Sequence, residues 1–154
     1  MKWTIAIFVT GFLISVGMSA DDDNNAEMRK LEGTWKVTSF EVGGKKVDPG
    51  KGAPEKAVIK DGKATFFSGG KEIPTFRNLK LELDPKKKPK EINLVRGEKE
   101  RLPCIYEVTA EGLKLAMPLV PEKGKPGERL SRPESFDTKD KPFLVLTAKR
   151  SKGE

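Results

Sequence analysis

Three features of the sequence predict an all-β fold, a single antiparallel β-barrel of the up-and-down kind, closed or half-open. Apolar and polar residues alternate with a period of two through most of the chain after residue 30, as in strands with one buried face. Glycine-centred turns separate the alternating runs and favour hairpins. No stretch in this region keeps the 3.6-residue apolar period of a helix. Closure of the sheet would remove its exposed edges.

The alternating runs define the predicted strands in chain order. The clearest run is NLKLELD, in which Leu79, Leu81 and Leu83 alternate with charged residues. The same pattern recurs in KEINLVR, CIYEVT, GLKLAMP and FLVLTAKR. The long segment from Pro118 to Pro142 holds prolines at 118, 121, 126, 133 and 142, and proline is not tolerated in a central strand. This segment is therefore predicted to be an irregular connection before the last strand.

The first strand, GTWKVTSFEV, contains a change of parity. Trp35 and Val37 share one face, whereas Phe40 and Val42 fall on the other. A bulge near Ser39 would return the later pair to the core face, and bulges bend strands as a barrel requires.

Arg150 has the same parity as Leu144, Leu146 and Ala148 in the last strand, so it is predicted to point inward. A buried guanidinium without a partner is costly. The face of the Trp35 indole and nearby backbone carbonyls could hold it. First and last strands are neighbours in an up-and-down barrel, so we predict that Trp35 and Arg150 form a plug at one end.

The N-terminus has the three-part pattern of a secretory signal peptide. Lys2 is followed by an apolar run from Ile5 to Val16 and by small residues up to Ala20. The run is shorter than the roughly 20 residues of a transmembrane helix. We predict cleavage near Ala20, an exported (periplasmic or secreted) product, and no transmembrane span in the mature form. An uncleaved membrane anchor is the alternative.

These observations divide the chain into four parts. Residues 1–20 are the predicted signal peptide, and residues 21–30 are a polar lead-in, loose or briefly helical with a mobile start. Residues 31–150 form the single barrel domain, and residues 151–154 are a polar tail.

Composition excludes several kinds of chemistry. The chain has no histidine and one cysteine, Cys104, so Ser–His–Asp and Cys–His triads and histidine metal sites are excluded. We expect no catalytic residues, no metal site and no cofactor; a carboxylate-based or Tyr106-based enzyme is the alternative. Cys104 lies in an apolar run and is expected to be a small buried residue. A disulfide to another chain is the other interpretation.

Two polar segments are candidate contact sites. The chain carries a net charge of +7, and Lys86, Lys87, Lys88 and Lys90 cluster between two predicted strands. We expect all four to be exposed, either as a solvated loop or as a contact for an anionic envelope component. Export and the absence of an aromatic platform argue against nucleic acid.

The second segment, SRPESF, precedes the last strand. Long ordered loops often carry function, so Arg132 and Phe136 are candidates for a mouth loop that meets an anionic group. In the alternative interpretation Phe136 covers the core and Arg132 pairs with Glu134 or Asp137.

The segments LEGTWKVTSFEVGGKKV, IYEVTAEGLKLAM, RPESF and LTAKR together resemble a planctomycete family of exported, lipocalin-like (calycin-type) domains of unknown function. Gly-x-Trp on the first strand with an arginine on the last is similar to the wider lipocalin pattern. The resemblance covers nearly all of the chain after residue 30. It implies a lipocalin-like barrel and carries no activity with it. Cys104 departs from the pattern, which has an apolar or small residue there.

Two functional hypotheses follow. The first is an exported, non-catalytic, lipocalin-like binding protein for a small apolar or amphipathic ligand, with lining or core residues Phe40, Phe66, Phe76, Tyr106 and Met117. The second is a cell-envelope module that binds a protein or a polyanion. Eight-stranded barrels either just hold one small ligand or are filled by side chains. An enclosed apolar cavity would support the first hypothesis, and a filled interior the second or a structural role.

Overall fold

The computed structural model describes residues 20–48, 51–119 and 130–152. In these ranges the chain forms one α-helix, ten strands and a short 3-10 helix at Pro74–Phe76. The helix is α1 (Ala20–Leu31). The strands are β1 (Gly33–Val42), β2 (Lys45–Val47), β3 (Lys56–Lys60), β4 (Lys63–Ser68), β5 (Lys71–Glu72), β6 (Leu79–Asp84), β7 (Lys90–Arg96), β8 (Glu100–Val108), β9 (Gly112–Pro118) and β10 (Phe143–Arg150).

Eight of these strands close into an antiparallel barrel, which confirms the predicted fold class. The order around the barrel is β1, β3, β4, β6, β7, β8, β9 and β10, and pairing of β10 with β1 closes the ring. β2 pairs with the end of β1, and β5 pairs with β4. The β4–β6 junction is the shortest in the ring, with Lys63 opposite Lys80 and Ala64 opposite Leu79.

The predicted bulge in β1 is confirmed. The register of β1 against β10 shifts between Val37 and Ser39, so that both Trp35 and Phe40 are buried. The extra residue changes the parity of the strand and lets one strand contribute core residues on both sides of the bulge.

The lead-in was expected to be loose or briefly helical, and the helical alternative is confirmed, because residues 20–31 form the helix α1 across one end of the barrel. Three aspartates occupy its first turn and Arg29 and Lys30 its last, an arrangement that the helix dipole favours. Leu31 is 1% exposed and belongs to the barrel core, and Met28 packs partly against it. A single helix of this length is marginal alone, so its contacts with the barrel stabilise it.

Residues 130–142, here called the strap, lie against the outside of the barrel. They cover a small apolar cluster on the outer faces of β8, β9 and β10, made of Ile105, Ala116, Phe143 and Val145 with Phe136 packed on it. The protein thus has a second, minor core outside the barrel wall.

No helix in the described ranges has the length and apolar content needed to cross a membrane. Of the predicted signal peptide only Ala20 is described; it begins α1. The predicted tail is described for residues 151 and 152.

Candidate functional sites

The structure brings Trp35 and Arg150 together at the α1 end of the barrel. They are register partners on β1 and β10, and the Arg150 guanidinium carbon lies 4.2 Å from the centre of the Trp35 ring. Trp35 is fully buried and its indole N–H donates to the carbonyl of Leu31 at 2.7 Å. This plug therefore combines a cation–π contact with hydrogen bonds.

Each of the three guanidinium nitrogens of Arg150 also donates to a backbone carbonyl. Arg150 donates to the carbonyls of Lys30 and Glu32 at 2.6 Å each and to that of Ala110 at 3.0 Å. The first two carbonyls lie at the C-terminal end of α1, where helix carbonyls lack partners and a cation is favoured. Arg150 thus ties the helix to the last strand and positions it.

A second network lies beneath α1. Glu27 is 4% exposed; it accepts a hydrogen bond from Lys30 at 3.0 Å, forms an ion pair with Lys90, and accepts from the Tyr106 hydroxyl at 3.3 Å. Burial alone would raise the pKa of Glu27, but the hydrogen bonds and charges of Lys90 and Lys30 outweigh it and lower that pKa. Burial and the Glu27 charge raise the pKa of Tyr106 well above its usual value. The pair is thus a carboxylate and a neutral phenol.

This network corrects one prediction about the basic segment. Lys86, Lys87 and Lys88 are exposed as predicted, and Lys86 lies 3.4 Å from Asp23 of α1. Lys90 belongs to β7 and is only partly exposed, because it pairs with the buried Glu27. The contact between Lys90 and Glu27 could not be read from the sequence, because the two residues are 63 positions apart.

Side chains fill the barrel interior. The enclosed void amounts to ≈ 20 Å³, is lined by apolar side chains and exposes no polar surface. A cavity of that size holds at most one water molecule. No buried side-chain nitrogen or oxygen among the described residues lacks a hydrogen-bond partner. The interior therefore offers neither space nor polar anchors for a ligand.

The predicted lining residues belong to this packed core. Phe40, Phe66, Tyr106 and Met117 are 8%, 4%, 1% and 8% exposed. Phe76 is partly buried and meets Phe66 edge-to-face with ring centres 5.9 Å apart. Their role in the described structure is to fill the barrel.

Arg132 lies on the side of the barrel and not at a mouth, which differs from both sequence interpretations. It donates to the carbonyls of Ile92 and Cys104 and, at 2.6 Å, to the Asn93 side chain, and its acid partner is Glu91 at 3.4 Å. Pro103, opposite Asn93 in the β7–β8 ladder, has no N–H to give. Arg132 supplies donors to the carbonyls beside this gap.

Phe136 covers the minor core outside the wall, and the Lys114 ammonium lies 5.9 Å from the centre of its ring. Cys104 is free and fully buried within the main core. Burial raises the pKa of the Cys104 thiol to about 12, an effect that the Arg132 charge only partly offsets. A thiol with this pKa is inert at neutral pH.

An open groove of ≈ 520 Å³ runs beside α1. Its polar lining is acidic or neutral, with Glu32, Asp61 and Glu82 beside Asn24 and Asn25. This composition does not suit an anionic partner. No group of three or more metal-binding side chains was found among the described residues.

Sequence reasoning missed a line of lysines across the outer wall. Lys149 of β10 stands opposite Lys36 of β1, and Lys36 stands opposite Lys56 of β3. All three are exposed. We call them the lysine row. Each is a single lysine in its own strand, so only the strand register assembles them.

Comparisons with protein-family models, with curated proteins and with solved structures found no match to this chain.

Proposed function

We propose that this chain is a non-catalytic binding domain that uses its outer surface to bind an anionic partner. The main support for this proposal is that side chains fill the barrel interior. Ligand pockets usually measure roughly 300–1,000 Å³, whereas the void in this barrel is ≈ 20 Å³. A carrier of small apolar molecules would have to displace core side chains before it could bind one.

The charge distribution supports an anionic partner. The chain has 30 lysines and arginines against 23 acids, and both the lysine row and the turn that holds Lys86, Lys87 and Lys88 are exposed. Clustered exposed cations raise the local positive potential and attract anions in a salt-sensitive manner. The signal-peptide pattern and the lipocalin-like resemblance complete the proposal: an exported domain of that planctomycete type that contacts an anionic envelope component.

The test of the filled interior is a titration with a dansylated long-chain fatty acid. The native protein should show no saturable one-to-one increase in fluorescence, because its core has no space for the chain. The control is Tyr106→Ala, which removes a large, fully buried side chain and leaves every exposed lysine in place. Saturable stoichiometric binding by the native protein would favour the carrier hypothesis and overturn the surface proposal.

The anionic partner is tested by retention of the native protein on a column of immobilised polyanion, with an uncharged column of the same matrix as control. Retention should be strong at low salt and fall steeply as salt rises. Equal retention on both columns would contradict the proposal.

A further inference from the structure

The lysine row crosses three adjacent strands in one line. Lys149, Lys36 and Lys56 are successive register partners on β10, β1 and β3. Side chains directly opposite in an antiparallel pair have Cβ atoms about 4.5–5.5 Å apart. The backbone of the row therefore places three lysine residues side by side along one line of the barrel wall.

This arrangement works against stability, because like charges directly opposite one another destabilise a sheet. Among the described residues, none of these three lysines takes part in an ion pair. Glu55 directly precedes Lys56 in the sequence, but its carboxylate accepts a hydrogen bond from the Gly69 amide and does not pair with Lys56. The three charges are thus unpaired within the described part of the chain, so an anionic partner would relieve the repulsion.

Several hydroxyl groups lie beside the row. On the same outer face, Thr34 and Thr38 flank Lys36, and Thr147 lies next along β10 from Lys149. At the β4 end of the row, Phe67 stands opposite Lys56 and is partly buried, and the Lys56 ammonium lies 4.8 Å from the centre of its ring. Hydroxyl groups and the face of one aromatic ring therefore accompany the three charges.

We propose that the lysine row is a docking surface for a linear acidic polysaccharide, an inference that rests on the proposed function. A chain of uronate-type sugars offers repeated carboxylates to the ammonium groups and hydroxyls to the threonines. Lysine suits a repeating polymer because its ammonium is a point charge with rotatable donors on a flexible stem, so it need not meet each carboxylate in one fixed geometry.

Other polyanions fit the row less well. Single-stranded nucleic acid binds where bases stack on accessible aromatic rings, and the one ring here is partly buried beneath Lys56. Peripheral membrane binding gains from exposed apolar side chains that enter the lipid. The exposed large apolar residues of the described chain are Val47 and Leu119, and neither lies in the three strands of the row.

The experiment compares two triple variants that remove the same charge. One is Lys36→Gln, Lys56→Gln and Lys149→Gln in the row; the other is Lys86→Gln, Lys87→Gln and Lys88→Gln in the turn. Both are tested with the full chain on immobilised polygalacturonate at low salt, with neutral dextran as the control surface. The row variant should lose about tenfold or more in affinity and show a weaker salt dependence. The turn variant should change by less than about threefold.

Thermal unfolding of the row variant separates docking from folding. The row variant lacks the three opposed like charges, so its unfolding temperature should equal or exceed that of the native protein. A row variant that binds weakly yet is equally stable supports the proposal. Binding that falls only in step with lost stability contradicts it.

Four outcomes overturn the inference. Equal losses of affinity in the two triple variants would mean that net charge alone binds the polymer. The row would then not be the docking surface, while the proposed function would stand. Losses confined to the turn variant would move the docking surface to the turn. Tighter row-dependent binding to duplex DNA or to phosphatidylglycerol vesicles would replace the polysaccharide with that partner. Absence of binding by the native protein to all these polyanions would end both proposals.

Discussion

Gly33 shows how the plug constrains a single residue. A Cβ atom at this position would lie 2.6 Å from the Arg150 Nη1 atom, and the backbone φ is +128°. Only glycine meets both conditions without strain. The glycine of the Gly-x-Trp pattern is therefore required by the arginine that closes the barrel, and the three residues act as one unit.

Replacement of Trp35 tests this unit. Trp35→Ala should lower the free energy of unfolding by about 3–5 kcal/mol, because a large, fully buried side chain is lost and a cavity remains. Trp35→Phe should cost less, since it keeps most of the packing and loses the hydrogen bond to Leu31. Chemical denaturation followed by circular dichroism gives both values. A loss near zero for Trp35→Ala would show that the indole does not hold the end of the barrel.

Glu27 makes stability depend on acid pH. Its folded-state pKa is lowered from 4.5, so the carboxylate stabilises the fold above that value, and this contribution disappears as the pH falls through the lower folded-state pKa. Glu27→Gln should flatten the decline in unfolding free energy below about pH 4.5. The matched control is Glu111→Gln, which removes an exposed carboxylate and should leave the slope unchanged. Parallel slopes for native protein and Glu27→Gln would refute the linkage.

Two elements outside the barrel complete it. α1 closes one end through Leu31 and Glu27, and the strap covers the outer minor core through Phe136. An arginine also contacts the backbone at each element: Arg150 donates to carbonyls at the end of α1, and Arg132, in the strap, donates to carbonyls of β7 and β8. An arginine with fixed planar geometry can satisfy several carbonyls at once.

The strap is tested through Arg132. Arg132→Gln should destabilise by about 2–3 kcal/mol, because charged hydrogen bonds are lost and carbonyls at the Pro103 gap lose donors. Arg96→Gln is the control, since Arg96 is exposed and pairs with Glu100 at the surface; it should cost less than about 1 kcal/mol. Urea titrations measure both. Equal small losses would mean that the strap contributes little to the fold.

Across the whole molecule, side chains fill the interior of the barrel. The void is ≈ 20 Å³, and both ends of the interior are occupied, by the plug and Leu31 at one end and by Phe40 and Met117 towards the other. This packed interior is the observation that supports our proposal of binding through the outer surface.

Cys104 reports on the opening of this core. The thiol is fully buried with its pKa raised to about 12, so a disulfide reagent should modify it only at the rate of large-scale unfolding. Adding denaturant should accelerate the reaction in parallel with the unfolded population. Ser135→Cys in a Cys104→Ala background provides an exposed thiol in the strap and should react at once. Rapid modification of native Cys104 would show that the barrel opens locally.

The sequence by itself determined the strand pattern, the β1 bulge and the inward parity of Trp35 and Arg150. These features depend on the alternation of apolar and polar residues within one strand, which is directly visible in the sequence. The irregular connection before β10 was also readable, because prolines exclude a ladder strand. A helix was only one of two expectations for the segment that forms α1, because it has a single fully buried apolar residue, Leu31, and too few turns for a period to emerge.

Only the tertiary structure shows which side chains contact one another and how much space the barrel encloses. Glu27 with Lys90, Arg132 with Glu91, and the lysine row are all contacts between residues far apart in sequence, and they exist only once strands take their neighbours and register. Whether the barrel is hollow depends on the sum of all inward side chains against the space that eight strands enclose. No local pattern contains that sum, so the filled interior, which supports our proposal of a surface-binding domain over a carrier, could be observed only in the fold.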